Sequence, residues 1–249
     1  MPPVTTLTGA LLDPVLHSNP AGPCLTFYDD ATGERVELSA ATLANWAAKT
    51  ANLLRDDWGG GPGWRLAVLA PAHWQTAAVL LGAWWVGAEV VFGGPAEAAM
   101  CTVDRLAEAD AAVADGNGSG EIAVLSLDAF GRSVPDLPIG VDDYASAVRV
   151  HGDQIVAEPR PGPALPGLSV EQVLADCRSR ATAAGLTSAD RVLSTMAWPG
   201  PAELIEGLLS VLSVGASLVQ VAHPDPGALA RRREMEKVTR VLPDADSGE

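Results

Sequence analysis

The sequence predicts an α/β protein built from doubly wound, mostly parallel sheets with flanking helices. Two observations predict this class. Short apolar runs alternate along the chain with amphipathic helical patterns, which is the order of repeated strand–helix–strand units. Of the 249 residues, 48% are hydrophobic and only 19% are charged, so the chain has enough apolar material for one large core or two small ones.

A hairpin followed by a helix is expected at the start of this pattern. Two β-rich runs, residues 24–29 and 35–38, are predicted to pair as antiparallel strands. Between them, Asp30 and Gly33 supply turn chemistry. Ser39 then caps a helix in which five residues fall at the spacing of one buried face. These residues are Leu43, Trp46, Ala47, Thr50 and Leu54.

Alternating strands and helices are expected to continue the first unit. The predicted strands are residues 64–69, 89–92, 111–114 and 122–125, and the predicted helices are residues 72–86 and 103–109. The helix at 72–86 joins two predicted strands and has the length that a right-handed parallel crossover requires. Residues 128–154 are only weakly patterned.

A proline-rich segment divides the predicted chain. Residues 158–167 contain four prolines and two glycines, which forbid regular structure. Ser169 and Gln172 then form a capping box. The elements predicted after it are helices at 170–184, 202–214 and 226–237 and strands at 191–196 and 217–221. We therefore expect a first α/β unit at 1–157 that includes the hairpin, a loop at 158–167, and a second, smaller unit at 168–249 with a frayed acidic tail.

Composition and charge exclude several classes of protein. The formal net charge is −15 and no basic stripe is present, which argues against nucleic acid as a partner. The most apolar window, residues 76–92, is interrupted by Gly82, Gly87 and Glu89, so we predict no membrane span. The first residues contain no secretory signal pattern, which indicates a cytoplasmic protein. The three cysteines are too far apart in the sequence for a metal-binding motif.

Three segments resemble core motifs of the acyl-adenylate-forming superfamily, which includes acyl-CoA synthetases. Residues 25–28 (LTFY) together with 36–39 (VELS) resemble its opening motif. Residues 80–91 (LLGAWWVGAEVV) are similar to its second motif, and 185–194 (GLTSADRVLS) resemble the segment that leads to the fourth. The resemblance covers most of residues 5–235 and implies the fold of the N-terminal subdomains. The chain is also similar to a group of short, uncharacterised actinobacterial proteins.

The resemblance implies a phosphate loop rich in Thr, Ser and Gly, with a lysine, between about residues 148 and 169. That stretch contains prolines and no lysine. Relatives carry the adenine-binding motif, the ribose-binding Asp and a lid domain with the catalytic Lys beyond the last residue of this chain. The two lysines present, Lys49 and Lys237, are interpreted as solvated residues of helix surfaces. We therefore predict no catalytic residue, no cofactor and no lid domain.

Trp198 is the candidate for a ligand-binding residue. It lies beside Pro199 and Gly200 at the predicted carboxyl end of a strand, where open α/β sheets bind ligands. With Glu203 these residues form an apolar wall with one carboxylate, which suits an acyl or aryl compound or a protein segment better than ATP. The four histidines lack the spacing of metal ligands, so no metal site is predicted.

Three functions follow from these observations. An intact framework without nucleotide-handling residues favours a non-catalytic binding or regulatory module. The first alternative is an acyl-CoA synthetase-like half-enzyme that a partner chain completes. The second is a structural assembly protein, for which a stable homo-oligomer is expected.

Overall fold

A computed structural model describes residues 5–116 and 120–242 of the chain. The predicted acidic tail, residues 243–249, lies outside this described part. Two mostly parallel five-stranded sheets with flanking helices form the fold, which confirms the predicted class. The described residues form two compact units: one comprises residues 5–9, 44–70 and 75–170, and the other comprises 10–43, 71–74 and 171–242.

The first sheet is entirely parallel, with strand order β4-β3-β5-β6-β7. Its strands are β3 (Arg65–Leu69), β4 (Glu89–Val91), β5 (Ala98–Cys101), β6 (Glu121–Val124) and β7 (Val141–Asp143). Helices cover its central strands, and the apolar side chains between them form the core of this unit. Burial on both faces is what parallel sheets require.

The central strand β5 corrects one prediction. A strand was expected at residues 111–114, but these residues form the end of a helix, α4 (Leu106–Ala114). The strand lies at Ala98–Cys101 instead, and all four of its residues are buried. Alanine favours helices in isolation, so its presence in β5 reflects the space between β3 and β6 and the buried position of the strand.

The hairpin belongs to the second sheet, which corrects its predicted placement in the N-terminal unit. β1 (Pro23–Asp29) pairs antiparallel with β2 (Glu34–Ser39) and parallel with β9 (Ser217–Ala222). The strand order is β10-β8-β9-β1-β2, with β8 at Arg191–Ser194 and β10 at Arg240–Val241. The parallel pairing of β1 with β9 could not be predicted, because the two strands are far apart in the sequence and the hairpin pattern does not indicate which further strand pairs with it.

Helices connect and cover these strands. They are α1 (Leu7–Ser18), α2 (Ala40–Asn52), α3 (Trp74–Trp85), α5 (Tyr144–Arg149), α6 (Val170–Ala183), α7 (Pro201–Leu204), α8 (Ser210–Ser213) and α9 (Pro226–Met235). The hydroxyl of Ser39 accepts a hydrogen bond from the amide of Thr42 at 3.1 Å, which confirms the predicted cap of α2. Among the described residues, no helix combines the length and hydrophobicity that a membrane span requires.

Two wide helical turns extend these helices. Leu53–Asp57 continues α2 as a π-helical turn, and Ile205–Leu209 joins α7 to α8 in the same way. Such turns occur often at functional sites. The second of them carries Gly207, which contacts the candidate residue Trp198.

Candidate functional site

The proline-rich segment, residues 158–168, uses nearly all of its backbone amides within the first unit. The amide of Glu158 donates to the carbonyl of Trp85, and that of Gly162 donates to the carbonyl of Gly87, both at 3.0 Å. Within the segment, the amides of Ala164, Leu165 and Leu168 donate to its own carbonyls, and the amide of Arg160 donates to the Glu158 carboxylate. Four prolines have no amide hydrogen.

Close backbone packing holds this segment in place. Gly87 has a φ of 77°, and a Cβ atom there would lie 2.9 Å from the Cα of Pro161. A Cβ atom on Gly162 would lie 2.8 Å from the amide nitrogen of Gly63. The indole Nε1 of Trp84 donates to the carbonyl of Ala164 at 2.7 Å. The segment is therefore tied to the first unit, and its amides are not free to bind phosphate oxygens.

At the carboxyl edge of the second sheet, where β8 ends, a buried polar group has no partner in the described part of the chain. Trp198 lies just beyond this strand and is only 4% exposed. Its indole Nε1 has no hydrogen-bond partner among the described residues. Gly207 lies against it, because a Cβ atom at that position would come within 3.0 Å of Nε1. A buried donor without a partner is rare in folded proteins and costs about 1–3 kcal/mol.

Gln220 adds a second unpaired polar atom to the same edge. It lies on β9 opposite Ser194 of β8 and is 1% exposed. Its Nε2 donates to the carbonyl of Met196 at 3.0 Å, whereas its Oε1 has no partner among the described residues. The hydroxyl of Ser194 accepts a hydrogen bond from the amide of Met196 at 3.1 Å. One donor and one acceptor are thus buried at this edge without partners.

The other predicted pocket residues lie close to Trp198 in the chain but differ in exposure. Pro199 is exposed, Gly200 is the N-cap of α7, and Glu203 is half-buried in its first turn. The carboxylate of Glu203 faces the backbone of Gly200. Sequence reasoning missed Gln220, although a lone glutamine in the apolar run of β9 was a visible signal.

Two side-chain pairs join the end of β1 to the residues that follow β9. Nδ1 of His223 lies 2.9 Å from Oδ1 of Asp29, and His223 has the left-handed φ of 47° that is uncommon outside glycine. Burial alone would raise the pKa of Asp29, but hydrogen bonds from His223 and the Ala31 amide outweigh it and lower the pKa. Asp30 forms an ion pair with Arg232 of α9. These pairs fix the turn that follows β1.

One face of the second sheet is closed by α9 and a carboxylate just after it. Glu236, which is 7% exposed, accepts hydrogen bonds from Tyr28, Arg35 and Arg191. Burial alone would raise its pKa, but these three donors outweigh burial and lower the pKa to about 2. Both carboxylate oxygens of Glu236 accept hydrogen bonds from these donors. We therefore interpret the network as a structural link between the end of α9 and the sheet.

Among the described residues, the cysteines and acidic side chains form neither a reactive thiol nor a metal site. Cys24, Cys101 and Cys177 are free and buried, and burial raises their pKa to about 12, about 11 and about 12 respectively. Thiols of this kind are poor nucleophiles. No group of three or more His, Cys, Asp or Glu side chains in residues 5–116 and 120–242 is arranged to hold a metal ion.

Comparison with solved structures identifies the class of this fold. It resembles the acetoacetyl-CoA synthetase of Streptomyces lividans (TM-score 0.76, 18% identity, 95% of this chain, 42% of that one). It also resembles an acyl-CoA synthetase of Brucella canis (TM-score 0.74, 18% identity, 95% of this chain, 46% of that one). A third similar structure is an anthranilate CoA ligase in complex with anthranoyl-AMP (TM-score 0.70, 14% identity, 97% of this chain, 50% of that one). The chain spans half or less of the length of these enzymes. The fold is that of acyl-CoA synthetase N-terminal subdomains, which confirms the resemblance seen in the sequence.

A close relative gives the narrower assignment. A TIGR03089 family protein of Mycobacterium tuberculosis (strain ATCC 25618 / H37Rv) is 65% identical over 239 residues, covering 96% of this chain and 98% of that protein. The chain therefore belongs to the TIGR03089 family. No family model matches the sequence.

Proposed function

We propose that this protein is a non-catalytic relative of the acyl-CoA synthetases that acts as a binding or regulatory module. One observation carries the proposal. The segment at the expected position of the phosphate loop has committed its amides to the chain's own acceptors and is held by close packing at Gly87 and Gly162. Adenylation requires donors aimed at the phosphoryl oxygens, and in this segment nearly all amides are engaged and no lysine is present.

The carboxyl edge of the second sheet is the proposed binding site. Its position follows the rule for open α/β sheets, in which ligands bind beyond the ends of the strands. Trp198 and Gln220 bury one unpaired donor and one unpaired acceptor at this edge, within its apolar packing. An acyl or aryl compound with a polar group would give these atoms the hydrogen bonds they lack, and burying its apolar part would add affinity.

A thermal-shift screen tests this proposal. Acyl and aryl carboxylic acids, their amides and ATP are compared on the wild type and on Trp198→Phe, which keeps an aromatic ring but removes the indole N–H. We expect at least one acyl or aryl compound to raise the Tm of the wild type. A ligand at about a hundred times its Kd stabilises by roughly 2.7 kcal/mol.

The control variant is Trp84→Phe, which removes an indole N–H that already has a partner, the carbonyl of Ala164. The shift should persist in Trp84→Phe and fall in Trp198→Phe. ATP raising the Tm while every acyl and aryl compound leaves it unchanged would contradict the proposal.

A half-enzyme completed by a partner chain is a second candidate, favoured by the observation that this chain covers only 42–50% of the synthetases it resembles. On this hypothesis the partner supplies the phosphate-binding donors, and activity appears only when both chains are mixed. The cytoplasmic location and the homo-oligomer expected from the sequence stay predictions.

A further inference from the structure

A cavity of about 630 Å³ opens at the carboxyl edge of the first sheet. Its walls are the residues that follow β5, those that follow β6, and the loop that precedes β7. This is the position at which parallel α/β sheets bind small molecules, and the volume is in the usual range for such sites. The site lies entirely in the first unit, so it is independent of the function proposed above.

Thr102 provides an unpaired hydroxyl on the cavity wall. It is 9% exposed, and its side chain makes no hydrogen bond to any described residue. It precedes the 3-10 turn Val103–Arg105, which leads into α4, but its hydroxyl does not cap that turn. The amides of Val103 and Asp104 therefore stay unpaired within the described part of the chain. A hydroxyl and two amides thus meet at the positive end of a helical segment.

The opposite wall is held rigidly by Gln75, a fully buried residue in the first turn of α3. Its Oε1 accepts a hydrogen bond from the amide of Leu127, and its Nε2 donates to the carbonyl of Asp128, both at 3.2 Å. Leu127 has a left-handed φ of 52°. A buried side chain that fixes a strained loop beside a cavity indicates a preorganised wall.

Arg132 brings a cation to the cavity. Its Nε contacts the carboxylate of Asp128 at 3.1 Å, and the same carboxylate accepts the backbone amides of Phe130 and Arg132. The hydrogen bonds of this guanidinium to Asp128 both come from Nε, and the Arg132 side chain is 73% exposed. Asp128 therefore orients the guanidinium and leaves its fork available to a ligand.

We infer that this cavity binds the oxyanion group of a small molecule, either a phosphate ester or a carboxylate. The donors are the Thr102 hydroxyl, the amides of Val103 and Asp104, and the terminal nitrogens of Arg132. Helix N-termini with unpaired amides bind such groups, and an arginine fork adds a charge-assisted hydrogen bond.

Two lining carboxylates oppose this ligand, and one of them, Asp128, is already paired with Arg132. The carboxylate of Asp104 is exposed at the same wall and repels an anion. The net charge of −15 also disfavours anions at long range. Binding is therefore expected to be selective for ligands that reach all four donors, and Asp104→Asn should strengthen it by about threefold.

An NMR titration of the ¹⁵N-labelled full chain tests the inference. Sodium phosphate and sodium acetate are added separately at pH 7, with sodium chloride at matched ionic strength as the reference. We expect saturable shifts of the Val103 and Asp104 amide resonances with at least one of the two oxyanions. Stronger binding of phosphate assigns a phosphate ester, and stronger binding of acetate assigns a carboxylate.

Three variants decide whether the named groups are responsible. Thr102→Val and Arg132→Gln should each weaken binding about tenfold, because each removes a hydrogen bond to a charged group. Arg105→Gln is the matched control, since Arg105 is also paired with a nearby carboxylate, that of Glu108, but does not line the cavity, and it should bind like the wild type. The inference is overturned if neither anion gives saturable shifts, or if Arg132→Gln binds as tightly as the wild type.

Discussion

The proline-rich segment of the first unit and the Trp198 edge of the second unit treat their polar groups in opposite ways. In residues 158–168 nearly every amide has a partner within the chain, and the backbone is packed too closely to admit a ligand. At the Trp198 edge a buried donor and a buried acceptor have none among the described residues. Folded proteins pair their buried polar groups, so unpaired ones call for an explanation.

Under the proposed function, the proline-rich segment no longer binds phosphate and the Trp198 edge is the site that binds a ligand. A segment whose amides are committed contributes to stability and not to phosphate binding. Unpaired buried polar groups lower the stability of the folded protein, and a ligand that hydrogen-bonds to them would raise it again. Four substitutions, with their controls, and one activity assay can break or sharpen this comparison.

The largest effect is expected for Gly87→Ala. Alanine there combines an unfavourable φ of 77° with a contact of 2.9 Å to the Cα of Pro161, so unfolding should cost about 4 kcal/mol less. Gly61→Ala is the control, because a Cβ atom at that position meets nothing within 4 Å. Urea unfolding curves measure both. Equal stability of the two variants would show that the proline-rich segment is not held by this contact.

Glu236→Gln should destabilise the second unit by about 3 kcal/mol at pH 7, because it removes a buried carboxylate from Arg35 and Arg191 and leaves them to share Glu37 as a charged partner. The ordinary pKa of this carboxyl is near 4.5 and the folded protein lowers it to about 2. Its stabilisation is therefore complete above about pH 4.5 and is lost as the pH falls toward 2.

Urea unfolding across this pH range measures the effect. The gap between wild type and Glu236→Gln should narrow as the pH falls. Glu234→Gln, an exposed position on the same helix, is the control and should match the wild type throughout. A gap that stays constant between pH 6 and pH 3 would rule out the proposed charge network.

A smaller and more diagnostic effect is expected for the two buried tryptophans. Trp84→Phe removes a hydrogen bond of 2.7 Å to the Ala164 carbonyl and should cost about 2 kcal/mol. Trp198→Phe removes a donor that has no partner, so its cost should stay below about 1 kcal/mol. Thermal unfolding without ligand measures this difference. A greater loss for Trp198→Phe would mean that its indole N–H is satisfied in the folded protein.

The sequence predicted most of the strands and helices, and it failed where tertiary packing overrides local preference. Ala98–Cys101 lacks the β-branched residues typical of strands, yet it forms a strand because it pairs with β3 on one side and β6 on the other. The helix α1 escaped notice because Pro14 lies inside it. β7 and α5 are too short to show a period, since each has only a few residues.

The candidate site was predictable only in part. Trp198 could be placed at a strand end because the rule for open α/β sheets depends on element order alone. Gly207, which contacts Trp198, and Gln220, which donates to the carbonyl of Met196, could not be assigned to this site, since they lie on other elements and approach it only in the folded chain. The commitment of the amides in residues 158–168 likewise depends on contacts with Trp85 and Gly87 that no local pattern reveals.

ATP–pyrophosphate exchange by the purified chain tests the central claim most directly. The assay uses the acyl or aryl compound that raises the Tm most, so binding is established in the same sample. We predict exchange no greater than in a heat-killed control, because residues 158–168 offer the phosphates no free set of donors. Exchange that depends on the compound and clearly exceeds the control would contradict the account and make this protein an enzyme.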